Sequence, residues 1–351
     1  MIDCIFTLDY EIYGNGQGSL RDLIYEPAQR LMEIFRKYQA RCVIFVEVAE
    51  LEMIEVNGSD SVIDLVKQQI RDLYNSGFEI GLHLHPQWYN ARFKNGGWQL
   101  DYSEYNLCTR PQERIVQIVD RAIAYLRKIL GEPDFTPFSF RAGNWLLQPS
   151  ETAANVLSER GIRVDSSVFK GGRQHQHGLD YRRSLRNGYY WMFSDDVNVP
   201  DSQGILLELP IHTRMIPTWR MFTAKRIKRQ RKGASTAQNS TNNNRQNRFC
   251  RLMDFMRFQY PLKLDFCLMT KNEFTNMMDA VIRDDKRNPS TYRPLVAIGH
   301  TKDFFDFETL DASLAYLKKN NVSVTTFKEA YNKIAVDGFQ FAVNKTVNCE
   351  L

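Results

Sequence analysis

Short apolar runs alternate with longer amphipathic segments along most of this chain. The run "DCIFTLD" near the amino terminus is typical of a buried strand, and "PAQRLMEIFRKYQ" has apolar residues at helical spacing, with Pro27 in the first turn. Further runs, including "RCVIFVEV", "FEIGLH", "GILLELPIH" and "PLVAIGH", also predict strands. Because strands that alternate with helices form parallel sheets, about seven such units predict an α/β fold, a closed or nearly closed (β/α) barrel.

Polar residues stand where the predicted strands end. They are Asp9 and Glu11, His83 and His85, Arg141, Asp165, His212 and His300. Since the carboxyl ends of all strands in a β/α barrel converge on one face, we expect these side chains to share a site. For Asp165 or His212 taken alone, a satisfied polar group at the edge of the core is the simpler interpretation.

The stretch "FEIGLHLHPQW" places two histidines two residues apart at the end of a strand. Side chains two apart in an extended chain point to the same side, so His83 and His85 could bind one metal ion. Two imidazoles and a carboxylate form the ligand set of catalytic zinc sites that keep an open position. Asp9 and Glu11 also lie two apart, so one carboxylate could bind the metal while the other acts as a base.

Two further residues indicate the reaction class. Pairing with Arg141 would keep the free carboxylate ionised, and His300 is a candidate acid for the leaving group. Together these groups predict metal-assisted hydrolysis. A second His-x-His pair, His175 and His177, lies among glycine, glutamine and arginine with no strand to orient it, which favours an exposed loop over a second metal site.

The composition is that of a large globular chain, with 351 residues of which 43% are hydrophobic. Six cysteines are scattered without a C-x-x-C pair, which indicates reduced thiols and no zinc–cysteine site. The sequence has no apolar run long enough for a transmembrane helix, and its amino terminus lacks the features of a signal peptide. We therefore expect a cytoplasmic protein.

The net charge of +5 conceals one basic segment. Residues 220–257 contain eleven Lys or Arg and a single acid, Asp254, so the rest of the chain is net negative. The low-complexity centre of this segment predicts a mobile insertion. Its "KRIKRQRK" stretch is either a solvated basic loop or a patch that meets phosphates of lipid head groups or of a substrate, so peripheral membrane contact is one expectation. A recognised nucleic-acid-binding motif does not accompany the charge, and we expect no nucleic-acid partner.

Five motifs resemble, in order, those of the polysaccharide deacetylase family, carbohydrate esterase family four, in particular chitooligosaccharide deacetylases. They are "FTLDYE", "GFEIGLH", "FSFRAGNW", "VDSSV" and "AIGHTKDF", and the likeness extends to about Phe327. The resemblance implies a single domain, a distorted (β/α) barrel with about seven parallel strands. An irregular substrate-loop region at 169–203 and the basic low-complexity insertion at 220–257 interrupt it.

The resemblance implies catalytic roles for four strand-end residues. Asp9 is expected to be the base, and Arg141 to support it. His300 is expected to be the general acid, with Asp165 as its partner.

The resemblance also implies a metal site, in which Glu11 and His83 are expected ligands. The second histidine of the family's motif usually stands four residues after the first, where this chain has Gln87. We expect His85 to be the third ligand instead, with Gln87 as the alternative. The ion is expected to be Zn²⁺, with Co²⁺, Ni²⁺ or Mn²⁺ as alternatives.

At the substrate, the resemblance implies an oxyanion hole from backbone N–H groups near Asn144 and Trp145, and His212 is a further expected contact. The expected function is metal-dependent removal of an acetyl group from an N-acetylated sugar, in cell-surface polysaccharide or glycoconjugate biosynthesis. An enzyme that stays inside the cell would meet nucleotide sugars or lipid-linked oligosaccharides. The alternative is a catalytically impaired barrel that binds carbohydrate or regulates, which the altered second motif suggests.

Overall fold

A nine-stranded sheet organises the protein, as seen in a computed structural model that describes residues 1–221, 258–304 and 306–336. The strands are β1 (Ile2–Tyr10), β2 (Val43–Glu47), β3 (Glu79–Leu84), β4 (Arg92–Lys94), β5 (Gly97–Gln99), β6 (Ser139–Ala142), β7 (Val164–Asp165), β8 (Arg173–Gln174), β9 (Leu179–Asp180), β10 (Trp191–Phe193), β11 (Leu206–Glu208), β12 (Thr213–Pro217), β13 (Gln259–Lys263), β14 (Arg293–His300) and β15 (Ser323–Val324).

The strand order in the main sheet is β10-β11-β7-β6-β3-β2-β1-β14, and β15 pairs with β1. From β11 to β14 every neighbouring pair is parallel, which gives seven consecutive parallel strands. Isolated parallel bridges from Ile211 and Asp265 to β14 continue the curl of the sheet beyond β11. The predicted α/β fold, a distorted barrel with about seven parallel strands in a single domain, is confirmed.

Eight α-helices lie between or after the strands in the described ranges. They are α1 (Glu26–Lys37), α2 (Val48–Asn57), α3 (Ile63–Asn75), α4 (Gln112–Leu130), α5 (Glu151–Glu159), α6 (Lys271–Arg287), α7 (Phe307–Lys319) and α8 (Phe327–Val336). Local sequence sets several ends: α6 begins at a capping box in which Thr270 and Glu273 satisfy each other's backbone N–H groups, and α4 stops at Gly131. Helix α1 overlaps the predicted helical segment "PAQRLMEIFRKYQ", whereas α2 begins inside the run "RCVIFVEV" that predicted a strand.

The parallel strands of the main sheet are deeply buried, and all nine residues of β1 are buried. Parallel strands covered on both faces consist of nearly continuous apolar runs, as β1, β2 and β14 do. Polar groups therefore reach open space mainly where these strands end. This is why the strand-end residues become neighbours.

Two smaller ladders leave the main sheet. The antiparallel pair β8 and β9 lies within the region predicted to be irregular, 169–203. The antiparallel pair β12 and β13 brackets the basic segment, and residues 222–257 of that segment lie outside the described ranges. None of the helices in the described ranges is both long and apolar enough to span a membrane.

Candidate active site

Register within the parallel sheet brings the ends of neighbouring strands to one level. Asp9 on β1 pairs with His300 on β14, and His83 on β3 pairs with Arg141 on β6. Glu11, one residue beyond β1, is buried with them. The structure thus brings together strand ends that are up to 291 residues apart in sequence, a convergence expected of parallel strands in a barrel.

One group, here called the histidine cluster, consists of Glu11, His83 and His85. The Oε2 atom of Glu11 lies 3.1 Å from Nε2 of His85 and 3.5 Å from Nε2 of His83. Ligand atoms held about 2.1 Å from a tetrahedral ion are separated by about 3.4 Å, so these spacings suit a Zn²⁺-sized ion. All three side chains are buried. The donor set and its geometry therefore fit a divalent metal.

The tautomer of His83 is set by its backbone partner. Nδ1 lies 2.8 Å from the carbonyl oxygen of Arg141, which can only accept, so Nδ1 carries the proton. Nε2 then presents a lone pair to the Glu11 carboxylate, and two acceptors at this distance require a cation between them. Burial lowers the pKa of His83, but Asp9 and Glu11 outweigh it and raise the pKa to about 9, so without a metal that cation is a proton.

The second imidazole is oriented by amides. Nδ1 of His85 lies 3.3 Å from the Gln87 amide nitrogen and 3.2 Å from that of Asn144. Within the described ranges, the buried Oε1 atom of Gln87 has no hydrogen-bond partner. Rotating the amides of Gln87 and Asn144 by half a turn lets their oxygens accept from the Nδ1–H of His85 and leaves Nε2 free to bind a metal. Gln87 is thus placed behind His85, and His85 is the residue that reaches Glu11.

The other group, here called the arginine cluster, consists of Asp9, Arg141 and His300. The guanidinium of Arg141 donates to Oδ1 of Asp9 at 2.5 Å, and Nε2 of His300 lies 3.4 Å from Oδ2. Burial raises the pKa of Asp9, but Arg141, His83 and His300 outweigh it and lower the pKa, so Asp9 is ionised. Arg141 is completely buried and also donates to Thr7, which fixes its orientation.

Asp9, Glu11 and His300 form a second group whose atoms could hold a metal ion. Each carboxylate of that group, however, already forms an ion pair, and in Glu11 the pair is made by the oxygen nearer to His300. Arg141 occupies Oδ1 of Asp9, and the ammonium of Lys302 lies 2.8 Å from Oε1 of Glu11. The histidine cluster is therefore the better cation site.

The partner of His300 differs from the one expected. Nδ1 of His300 lies 3.7 Å from the carboxylate of Asp303, whereas Asp165 accepts hydrogen bonds from Ser167 and faces Glu208 across the β7–β11 ladder. The structure does not place Asp165 against His300, as was expected of the partner of the acid, because three strands, β6, β3 and β2, lie between β7 and β1 in the sheet. Burial lowers the pKa of His300 despite Asp9 and Asp303, so the imidazole is neutral at rest.

His212 was expected at the shared site and lies elsewhere. Its backbone N–H donates to the carbonyl of Val296, in the middle of β14, so the residue falls short of the carboxyl end where His300 stands. Its ring stacks with that of Tyr189 in a separate cavity of about 250 Å³, which Lys170 also lines. Burial and Lys170 lower the pKa of His212 to about 4.

The turn after β6 forms the rim of the site. Asn144 and Trp145 both adopt positive φ, and the Trp145 ring stands perpendicular to that of His300 at 6.5 Å. A Cβ atom on Gly143 would lie 2.7 Å from the His85 ring, so only glycine permits this approach. The turn places Asn144 and Trp145 beside both clusters, and their oxyanion role stays a prediction.

Lys302 and Asp303 are site residues that the sequence interpretation missed. They follow directly on His300 in "GHTKD", so two charged residues after a buried strand were the available signal. His175 and His177 belong to a short turn in which the His177 ring contacts Tyr105. In the described part of the chain they are not members of a metal-capable group.

Comparison with known proteins identifies solved structures that share this fold. No protein-family model and no curated protein matches this sequence. A Mycobacterium smegmatis protein assigned as a polysaccharide deacetylase is 14% identical, with a TM-score of 0.53 over 100% of this chain and 96% of its own. A Pseudomonas aeruginosa PAO1 protein with the same assignment is 12% identical, with a TM-score of 0.50 over 96% and 92%.

A GH57 branching enzyme from Thermococcus kodakaraensis is 11% identical, with a TM-score of 0.52 over 95% of this chain and 71% of its own. At such identities the likeness concerns the fold, and the resemblance to polysaccharide deacetylases is confirmed at that level. Proteins with different activities share this barrel, so the activity has to be argued from the site.

Proposed function

We propose that this protein is a metal-dependent hydrolase that removes the acetyl group from an N-acetylated sugar. The observation that carries the proposal is the convergence, at one buried strand end, of a three-ligand set with an ionised carboxylate and a neutral imidazole. The fold neighbours assigned as polysaccharide deacetylases support the substrate class. The completeness of both clusters favours turnover over the binding-only alternative.

Glu11, His83 and His85 would hold the ion. A divalent metal, most simply Zn²⁺, would supply Lewis-acid chemistry, polarising an acetyl carbonyl and lowering the pKa of a water molecule. The Glu11 carboxylate would offset part of the ion's charge, and the carbonyl of Arg141 would keep the His83 ring oriented.

Asp9 would accept the proton of the attacking water, because Arg141 keeps it ionised without removing its second oxygen. His300 adjoins that oxygen, so the proton could pass to its Nε2 atom and then to the departing sugar nitrogen. Asp303 would stabilise His300 while it carries the charge. A neutral resting imidazole suits this relay, since it has to gain a proton before giving one.

The proposed substrate belongs to surface-polysaccharide or glycoconjugate biosynthesis, as a nucleotide sugar or a lipid-linked oligosaccharide. A groove of about 600 Å³ is lined by Arg182, Arg183 and Arg186, of which Arg182 pairs with Asp180 and Arg183 with Asp196, so Arg186 is the residue that would favour a phosphate there. Cytoplasmic location and membrane contact through the basic insertion belong to the same proposal.

The test is acetate release from a panel of N-acetylated sugars, measured alongside metal content by mass spectrometry. We expect one divalent ion per chain, loss of activity on chelation, and recovery with Zn²⁺ or Co²⁺. Full metal occupancy with no acetate release from any N- or O-acetylated sugar would overturn the proposal.

A further inference from the structure

The cavity that holds the ring of His212 lies away from both clusters. It has a volume of about 250 Å³, and Lys170, Asn187, Tyr189 and Pro294 are among the other residues that line it. Pro294 and His300 are the second and last residues of β14, about 20 Å apart along a strand of this length. The cavity is therefore separate from the candidate active site, and neither cluster uses its side chains.

A lysine without a counter-ion lines this cavity. The Lys170 ammonium donates to the backbone carbonyl oxygens of Asn187 and Gly188, both at 2.5 Å, and forms no ion pair within the described ranges. Burial lowers its pKa to about 8, and Glu208 offsets only part of that effect, so the amine is charged at pH 7. Burial and Asp165 in turn raise the pKa of Glu208 well above its usual range, which favours a neutral carboxyl group. An ammonium has three N–H groups, and the one left over here favours an anionic ligand.

Two aromatic rings also line the cavity. The rings of Tyr189 and His212 are nearly parallel, with an interplanar angle of 11° and centroids 6.4 Å apart. The Tyr189 hydroxyl lies 3.4 Å from the carboxylate of Asp284, and the Arg293 guanidinium lies 5.7 Å from the centre of the Tyr189 ring, so both ends of this side chain are held. Such rings offer planar faces on which a heterocyclic base can stack.

His212 adds a polar edge to this aromatic surface. Burial, Lys170 and Arg214 lower its pKa to about 4, so the ring is neutral and has one N–H donor and one lone pair. In the described part of the chain, neither ring nitrogen has a hydrogen-bond partner. Nucleobases present donors and acceptors side by side at their edges, so they complement a ring of this kind.

The cavity continues into the arginine-lined groove described above, because Asn187 lines both. Alone, the cavity is smaller than most ligand pockets, so its occupant is either small or extends into the groove. Arg186 precedes Asn187 in the chain and has no acidic partner among the described residues. A ligand with a ring at one end and a phosphate at the other would therefore meet cationic groups on leaving the aromatic surface.

We infer that this cavity is a second ligand site, which binds a nucleoside phosphate with its base on the Tyr189 ring and its phosphate on Lys170. The inference goes beyond the proposed function, because it requires neither a sugar nor a metal ion in the candidate active site.

The test is calorimetric titration of the full chain with UMP, uridine and orthophosphate at fixed ionic strength. UMP should bind at least about tenfold more tightly than either of the others, because it engages both the rings and the ammonium. Lys170→Met should lower UMP affinity at least about tenfold, as loss of a charged hydrogen bond does, and leave uridine binding unchanged. Lys170→Arg keeps the charge and should restore most of the affinity. Lys319→Met, at the exposed end of α7, is the matched control.

Tyr189→Leu tests the stacking contact. The affinities for UMP and for uridine should both fall about five- to a hundredfold, the range expected when a base loses an aromatic ring. Tyr189→Phe keeps the ring and should bind both probes nearly as the wild type does. Tyr102→Leu is the control, since Tyr102 is exposed and does not line the cavity. All these variants should keep the metal content and the acetate release of the wild type, which separates loss of the site from loss of the fold.

Chelation distinguishes this cavity from the histidine cluster, where a bound metal ion would itself attract phosphate. UMP should bind equally to the chelated and the metal-loaded protein. Loss of UMP binding on chelation, unchanged UMP binding by Lys170→Met and Tyr189→Leu, or orthophosphate binding as tight as that of UMP would overturn the inference. UMP binding that depends on Lys170, in a protein that releases no acetate from any sugar, would overturn the proposed function alone.

Discussion

The histidine cluster and the arginine cluster leave the same end of β1, and they differ in what faces each carboxylate. Asp9 forms an ion pair with the Arg141 guanidinium, at 2.5 Å. Glu11 faces two imidazole nitrogens, at least one of which presents a lone pair. Oε1 of Glu11 is paired with Lys302, and its Oε2 atom, which faces the imidazoles, is the oxygen that stays available to a metal ion.

Both carboxylates are buried, and the pKa of each is nevertheless lowered by neighbouring cationic groups that outweigh burial. Burial and charge therefore do not distinguish them. The difference lies in the partner: Arg141 leaves Oδ2 of Asp9 available to accept a proton, while the histidines leave Oε2 of Glu11 available to a metal. The following predictions test this division between the clusters.

The largest effect is expected for Glu11→Ala. The histidine cluster loses one of three ligands, so bound metal and acetate release should fall together, the latter by more than about 10⁴-fold. Metal content and activity are measured on the same preparation. Glu33→Ala, on the exposed face of α1, is the matched control and should change neither.

Asp9→Asn should impair the arginine cluster and leave the histidine cluster intact. The amide keeps the shape of the carboxylate but cannot accept the proton, so turnover should fall about 10²- to 10⁴-fold while metal affinity stays near wild type. Loss of metal in this variant, together with retention of metal by Glu11→Ala, would reverse the assignment of the two carboxylates.

Gln87→Leu should weaken metal binding by the histidine cluster, because Gln87 orients His85. Removing the acceptor for the Nδ1–H of His85 should lower metal affinity about 10- to 100-fold, the usual cost of losing a group that orients a ligand. Gln87→Glu keeps an acceptor and should bind metal at least as tightly as the wild type. Competition with a chromogenic chelator measures both, and equal affinities in the two variants would contradict the proposed orientation of His85.

Sequence patterns predicted the strand ends of both clusters because two constraints coincide there. A buried strand fixes the side to which residues two apart point, and the barrel brings those strand ends together, as for His83 and His85. The route of the chain after a strand obeys no such constraint. Asp303 and Lys302 enter the site through a short turn, and an apolar pattern does not extend into it.

The start of helix α2 and the position of His212 were not predicted, and each has a physical cause. Helix α2 follows β2 without a connecting turn, and its buried residues do not form one stripe, so its start resembles a continuation of the strand. The expectation for His212 placed the end of its strand at the shared face, although β11 ends at Glu208 and the chain then passes alongside the middle of β14. The β4–β5 hairpin was predictable from "NG" between short apolar segments.

Asp303→Asn tests the partner of the acid. The change removes the charge beside Nδ1 of His300, so we expect acetate release from sugars to fall about tenfold and the activity of an activated ester to change little, since its leaving group needs no proton. Asp165→Asn should leave turnover on sugars within about threefold of wild type, because Asp165 contacts Ser167 and not His300. The opposite ranking of the two variants would restore Asp165 as the partner.

The smallest net effect is expected at Lys302, where two opposed effects meet. Its ammonium repels a metal bound at the histidine cluster, and its hydrogen bond to Oε1 also holds Glu11 in position. Lys302→Gln removes the charge and keeps a donor, so metal affinity should rise, by less than about tenfold after screening. Lys302→Met removes both, and affinity should stay within about threefold of wild type because the gain and the loss offset each other. Chelator competition at matched pH measures the two variants, with Lys318→Met on the carboxyl-terminal turn of α7 as the control. A loss of more than about tenfold in Lys302→Gln would mean that the ammonium supports the metal site, and would place Lys302 among the groups that the histidine cluster requires.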